Sequence, residues 1–292
     1  MKPNLSYNEE HIHVPSTNYF TIEKNGKKEK IGLTECRFCG KKLKYTPIQK
    51  VGDILVKRDD LFEVAGVRGG KARTCWQLSQ GAKGLVTAGS RSSPQINIVA
   101  HIAKELGVPC RAHCPLGELG NELLEAQKLG ALIIQHKAGY NSVIIARANE
   151  DALKTGYTNI PFGMSCSEAV KQTSEEFYSI EPYLRKIKRI VMCVGSGMSL
   201  CGVIKGAIDL GVDVPIVGIQ VGADPTKRIE QYAPTFYAQK CSVEIIESKY
   251  NYDDEVSLSV GNITLDPIYE AKVVPYLKDG DLFWIVGRRN NI

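Results

Sequence analysis

The sequence predicts an α/β protein built as two open, twisted parallel-sheet lobes with helices on both faces. Three observations carry that prediction. The runs Ile190–Val194 and Pro215–Val221 are almost wholly apolar, as strands buried on both faces of a helix-covered parallel sheet are. Segments with helical spacing of apolar residues alternate with such runs, and Gly107, Gly130 and Gly211 stand where those helices should stop. Strand, glycine-rich turn and helix follow one another at 54–80 and again at 190–210. That order places a binding cleft where strand C-terminal ends meet helix N-termini.

The elements follow along the chain. Residues 1–35 are polar and irregular, with a charge-rich run from Glu23 to Lys30, and read as an arm or a surface hairpin. Ile54–Arg58 reads as a strand, and Ala72–Gln80 as a helical stretch behind two glycines. Leu85–Thr87 is a short apolar strand. Ile98, Ile102 and Leu106 mark a helix over Ile96–Leu106. Val108–Ala112 is the next strand, Asn121–Leu129 a helix and Ala131–Gln135 a strand. The unit recurs with strand Ile190–Val194, helix Gly202–Leu210 and strand Pro215–Val221. The expected division is a large domain from residues 1–83 plus 171–292, with residues 1–44 as an N-terminal arm, and a small α/β domain over 84–170. No repeat of short period is visible.

Composition excludes several classes. The 292 residues are 43% hydrophobic and 24% charged, enough for a sizeable core. No run of about 18 apolar residues exists, so no membrane span is expected. Met1-Lys2-Pro3-Asn4 opens no apolar signal segment, and a cytoplasmic protein is expected. The nine cysteines are scattered and read as reduced core residues. The net charge of +5 permits an anionic ligand or a nucleic-acid partner and requires neither. Cys36-Arg37-Phe38-Cys39 has zinc-knuckle spacing, and His11 and His13 could complete a set, but no second such cysteine pair follows. A plain turn and no metal are expected.

Two features carry chemistry. After strand Ile190–Val194 comes Gly195-Ser196-Gly197-Met198-Ser199-Leu200-Cys201-Gly202. Glycines let the backbone close on a ligand, and helix N–H groups with Ser196 and Ser199 hydroxyls would hold an anion. No Walker-type lysine follows, which disfavours a nucleoside triphosphate. The second feature is Lys71, in Arg68-Gly69-Gly70-Lys71-Ala72-Arg73. An amine at a helix N-terminus is disfavoured as a cation, and a lowered pKa is what a Schiff-base lysine needs. A lysine for an aldehyde and a remote loop for a phosphate point to pyridoxal 5'-phosphate (PLP).

Further motifs stand in a telling order: Thr46-Pro47; Val56-Lys57-Arg58-Asp59-Asp60; Gly69-Gly70-Lys71-Ala72-Arg73; Thr87-Ala88-Gly89-Ser90-Arg91-Ser92-Ser93-Pro94-Gln95; the 195–202 loop; and Asp266-Pro267-Ile268-Tyr269-Glu270-Ala271-Lys272. Over residues 45–287 the chain resembles the fold-type II PLP enzymes, the tryptophan synthase β-like group. Within it, the branch of 1-aminocyclopropane-1-carboxylate deaminase and D-cysteine desulfhydrase is most similar. The resemblance implies that Lys71 forms the Schiff base and later moves protons. It implies that Ser93 and Gln95 face the substrate carboxylate, and that Gly195, Ser196, Gly197, Met198 and Ser199 hold the phosphate. Glu270 would face the pyridine nitrogen and Tyr269 the substrate. A carboxylate beside that nitrogen favours its protonated form, a stronger electron sink. Many relatives use a Ser or Thr there, from a stretch that here reads Trp284-Ile285-Val286-Gly287-Arg288. Val286 has no polar side-chain atom, which leaves Glu270 as the partner.

The departures fall on the substrate side. Pro94 stands where the resemblance expects an asparagine, and proline brings no N–H donor. Arg91, Ser92, Ser93 and Gln95 are the candidate substrate-binding residues, with Arg91 the means of rebuilding the carboxylate pocket. Arg288 replaces a glycine and adds charge near the cleft. The expected function is cleavage of a bond at Cα or Cβ of an amino acid, by a lyase, deaminase or decarboxylase. One alternative is the same chemistry on an amino-acid group carried by a nucleotide or a hypermodified DNA base. Another is a PLP-binding protein without turnover. The resemblance implies a homodimer.

Overall fold

The computed structural model describes residues 19–24, 27–32, 45–91, 93–137, 140–233 and 242–289, the first two stretches as backbone strands. The candidate zinc residues His11, His13, Cys36 and Cys39, and the candidate Ser92, lie outside the described residues.

Strands β1 (Tyr19–Lys24) and β2 (Lys27–Gly32) pair antiparallel, so the polar N-terminal stretch contains a hairpin. The chain then lays down β3 (Ile48–Val51) and β4 (Ile54–Arg58), the small ribbon β5 (Glu63–Val64) and β6 (Val67–Arg68), and helix α1 (Gly70–Leu78). Strand β7 (Leu85–Ala88), α2 (Pro94–Leu106), β8 (Cys110–Pro115), α3 (Asn121–Lys128), β9 (Leu132–His136), α4 (Asn141–Thr155) and β10 (Thr158–Ile160) follow. The four strands of this stretch form one parallel sheet in the order β10-β7-β8-β9. Cys110, Ala112 and Cys114 face the core shared with α2 and α3, while Val86 and Ala88 pack on Ile144 and Ala148 of α4.

Next come α5 (Ser167–Phe177), β11 (Arg189–Val194), α6 (Met198–Asp209), β12 (Ile216–Gln220), α7 (Thr226–Tyr232), β13 (Val243–Glu247), the ribbon β14 (Ser259–Val260) and β15 (Ile263–Thr264), and β16 (Asp281–Ile285). The second sheet has the order β13-β12-β11-β16-β4-β3, parallel except for the edge strand β3. Alternate residues of β11 serve two cores. Ile190, Met192 and Val194 join Phe177, Val203 and Ile204 on one face; Val191 and Cys193 join Ile263, Leu265 and Val273 on the other. Burial on both faces is why the run is continuously apolar.

Several boundaries differ from the sequence reading by a few residues, and two of them bear on the site. Helix α6 begins at Met198 and not Gly202, because the turn is completed at Gly197, which holds φ +86° as the residue before the helix. Helix α2 begins at Pro94, whose fixed φ suits a first helical position, with Ser93 capping it. Helices α4, α5 and α7 have no counterpart in the sequence reading. Helix α5 packs on α6 through glycines: a methyl group at Gly202 would lie 2.3 Å from Thr173 Cβ, and one at Gly206 would lie 2.4 Å from Phe177 Cβ.

The six described cysteines are free thiols, and burial is the first cause of the raised pKa of each, such as Cys75 at about 12. No helix of the described residues is long and apolar enough to cross a membrane.

A buried polar cluster ties β4, α1 and α5 together. The Glu176 carboxylate takes Lys57 Nζ at 2.5 Å, Thr46 Oγ1 at 3.0 Å and Arg73 Nη2 at 3.2 Å. Arg73 also reaches Asp59 Oδ1 at 2.5 Å, and Thr46 Oγ1 lies 3.1 Å from the same oxygen, its one proton shared between the two carboxylates. Removing one member of a buried ionic cluster strands the others. Glu176→Gln should therefore cost about 3–5 kcal/mol of stability in urea unfolding; a loss below about 1 kcal/mol, the range of exposed pairs, would show the cluster to be solvated.

Candidate active site

Three adjacent strands, β11, β16 and β4, run parallel, so their C-terminal ends meet. The segments leaving those ends build one pocket, where an open α/β sheet places its ligand. It encloses about 670 Å³, open mouth included, and is lined by Lys71, Pro94, Cys193, Gly195–Gly197, Ser199, Asp266, Tyr269, Glu270 and Val286–Arg288, among others.

Lys71 is placed by backbone contact. Gly70 N donates to Val286 O at 3.0 Å. Gly69 holds φ +89°, and a Cβ there would lie 2.7 Å from Gly287 Cα. Only glycine allows the start of α1 to press this closely on the segment after β16. Lys71 thus sits in the first turn of α1, half-buried at the pocket wall. Desolvation pulls its pKa below the ordinary lysine value; Glu270 and Asp266 oppose the shift and Arg289 adds to it.

Glu270 is buried in the same pocket, and its Oε1 accepts Gly287 N at 3.3 Å. Burial raises its pKa well above 4.5, and the neighbouring Asp266 raises it further. Asp266 is held by other groups: Oδ1 accepts Ile268 N at 2.9 Å and Tyr269 N at 3.1 Å, and Oδ2 meets Arg289 Nε at 3.1 Å. The Tyr269 hydroxyl shares a 2.8 Å hydrogen bond with Tyr252, and burial drives its pKa up, so it stays a protonated phenol.

The third wall is the 195–199 turn. Helix α6 has no side-chain cap on its N-terminal N–H groups, which leaves donors and the positive helix end facing the pocket. A Cβ at Gly195 would lie 3.2 Å from Tyr269 Cε1, and one at Gly197 2.9 Å from Pro225 Cβ. Ser196 Oγ donates to Gly163 O at 3.0 Å, and Arg228 Nη1 donates to Ser196 O at 2.5 Å, which fixes the turn. The Ser199 hydroxyl has no partner among the described residues. Met198 is buried behind the turn and does not line the pocket.

Of the sequence-derived candidates, Lys71, Gly195, Ser196, Gly197, Ser199, Tyr269 and Glu270 come together in this pocket. Arg91, Ser93 and Gln95 do not line it. Arg91 is exposed and donates to Glu118 O at 3.4 Å. Ser93 Oγ caps α2 by accepting Gln95 N at 3.3 Å. The buried Gln95 side chain donates to Thr87 Oγ1 at 3.0 Å and Pro161 O at 2.9 Å, and accepts Gly163 N at 2.8 Å. Sequence reasoning assigned no role to Asp266, Cys193, Arg228 or Arg289. Asp266 stood inside a quoted motif and was readable as a turn-capping acid; Arg228 and Arg289 gave no local signal.

The profile of the family described as pyridoxal-phosphate dependent enzyme matches residues 42–256. The chain belongs to this family. Pyridoxal 5'-phosphate is its cofactor, and the pocket suits that group: an amine of lowered pKa, uncapped helix N–H groups over a glycine turn, and a buried carboxyl. An ACC deaminase homologue has a similar structure, with TM-score 0.69 and 23% identity over 84% of this chain and 90% of that one. The processed form of threonine deaminase isoform 2 from Solanum lycopersicum gives 0.60 and 14% over 84% and 83%. Serine racemase from Dictyostelium discoideum gives 0.62 and 15% over 84% and 92%. Likeness at these identities establishes the fold, PLP fold type II. No curated protein matches the sequence.

The raised Glu270 pKa has a consequence for stability. In cofactor-free protein the folded state keeps that proton above pH 4.5, where the unfolded chain releases it. Stability then falls as pH rises from 4.5 toward the raised value, by at most about 1.4 kcal/mol per unit. The Lys71 contribution runs the other way, and removing Glu270, which holds the Lys71 pKa up, shifts the variant in the same direction as the loss of its own proton. The melting temperature of Glu270→Gln relative to the parent should climb as the pH rises above 4.5; a difference that stays constant there would show that the Glu270 pKa is not raised.

Proposed function

We propose that the protein breaks a bond at Cα or Cβ of an amino-acid substrate, as a lyase, deaminase or decarboxylase. The observation that carries this reading is one pocket holding Lys71, Glu270 and the uncapped start of α6, brought together from distant parts of the chain. Bound PLP supplies an electron sink for the charge left at the substrate carbon when a bond there breaks.

The residues divide the remaining work. Backbone N–H groups of the 195–199 turn would hold the phosphate, with the Ser199 hydroxyl, unpartnered among the described residues, able to join them. Lys71 Nζ, whose pKa burial lowers, would be the nucleophile that anchors the cofactor and the base that accepts a proton from the substrate. The buried Glu270 carboxyl lines the same pocket as Lys71 and would be the group for the ring nitrogen. Tyr269, a protonated phenol on the same wall, holds a proton where a substrate group would lie. Ile98, Val194, Leu200 and Val286 line the rest and limit water.

The reading in which the amino-acid group rides on a modified DNA base drew on Arg91 and the loop 90–95. Of that loop's described residues only Pro94 lines the pocket, which favours the free amino acid.

Purified parent protein given PLP should show a visible absorption band that survives dialysis and changes on adding a substrate amino acid. Lys71→Ala should lose the band on dialysis. Glu270→Gln should keep it and lose on the order of 10²-fold in turnover. Full turnover in Lys71→Ala, or no spectral response to any amino acid in the parent, would reject this assignment.

A further inference from the structure

We propose that Arg288 reads the substrate's α-carboxylate and so selects amino acids for this pocket; the inference rests on the amino-acid reading above. Arg288 lines the pocket. Its side chain has no hydrogen bond or ion pair among the described residues, and its Nε is buried without a partner. A guanidinium whose Nε is buried without a partner is unfavourable, and the half-buried residue leaves the rest of the fork within reach of a ligand. A planar donor fork in that condition is suited to a carboxylate, which it binds through two parallel hydrogen bonds.

The other charged groups near the pocket are engaged. Arg68 pairs with Glu63 at 2.7 Å, and Arg289 pairs with Asp266 and Glu122. Lys71 is the covalent anchor. The two pocket acids have partners of their own, Asp266 in backbone N–H groups and Arg289, and Glu270 in Gly287 N. Arg288 is therefore the pocket cation left for an incoming anion.

The loop that the resemblance assigns to the carboxylate has few donors to give. Ser93 caps α2, Pro94 has no N–H, and the Gln95 amide uses both its ends within the protein. Carboxylate recognition thus passes from the start of α2 to the segment after β16. A glycine at 288 would supply no such group, so the arginine and the spent loop are two halves of one change.

The test uses PLP-loaded protein and measures binding from the change in the visible spectrum, independent of turnover. The probes are L- and D-serine and L- and D-alanine, each beside its carboxamide, which keeps the amine and loses the negative charge. The variants are Arg288→Gln and Arg288→Lys. The parent should prefer each acid over its amide. Arg288→Gln should weaken the acids about tenfold to a hundredfold and leave the amides unchanged, as loss of a charged hydrogen-bond pair does. Arg288→Lys, which keeps the charge and loses the fork, should fall between. Acids and amides bound alike by the parent, or weakened alike by Arg288→Gln, would overturn the role of Arg288 and leave the amino-acid reading standing. A parent that binds none of the eight probes would overturn the amino-acid reading, and this inference with it.

Discussion

The buried carboxylate of Glu176 is the interaction on which the site's architecture rests. It lies on α5, yet it gathers Lys57 from β4, Thr46 from the chain before β3 and Arg73 from α1. Arg73 is two residues beyond Lys71, on the same first turns of α1. The cluster therefore fixes the helix that carries the pocket lysine to the central sheet and to the layer beneath it. Ion pairs of this kind add little net stability over apolar packing, because desolvation offsets their attraction. What they add is geometry, since each group has one arrangement in which every charge is matched. Gly69 and Gly70 complete the constraint from the other side, where the backbone after β16 presses against the helix start.

The same burial that shapes the pocket sets its proton chemistry. Desolvation disfavours charge on either sign of group, so it lowers the lysine and raises the glutamate. Lys71 becomes a better nucleophile and Glu270 a better proton holder without a dedicated partner for either. Asp266 strengthens the effect on Glu270 by repulsion, and Arg289 restrains Asp266 by pairing with it. Arg289 also reaches Glu122 of α3. Through that one side chain the four-stranded sheet's helices contact the acid that tunes the pocket, so closing or loosening the two sheets against each other would change its electrostatics.

The substrate side follows a different logic from the cofactor side. The groups that would hold PLP are backbone N–H donors, glycines and one lysine, and these tolerate little variation because close approach leaves no space for a Cβ. The proposed substrate-facing groups are side chains. The loop 93–95 has turned inward to cap a helix and bridge to residues 161–163, while an arginine stands after β16.

Much of the fold was legible in the chain itself. Continuous apolar runs, helix-stopping glycines and the two strand-turn-helix passages identified a helix-covered parallel sheet, because burial on both faces leaves that pattern wherever it occurs. Lys71 and the 195–199 turn stood out for the same kind of reason, since local sequence dictates a glycine turn and a helix N-terminus, whereas Glu270 was picked out only by the resemblance of the 266–272 motif. Tertiary structure alone decided which side chains were free to act. Gln95 looks available in sequence and is consumed by Thr87, Pro161 and Gly163. Arg288 and Arg289 look equivalent, yet one is paired across the molecule and the other faces the pocket unpaired. Pairing of that kind depends on contacts between residues far apart in the chain, and no local pattern encodes it.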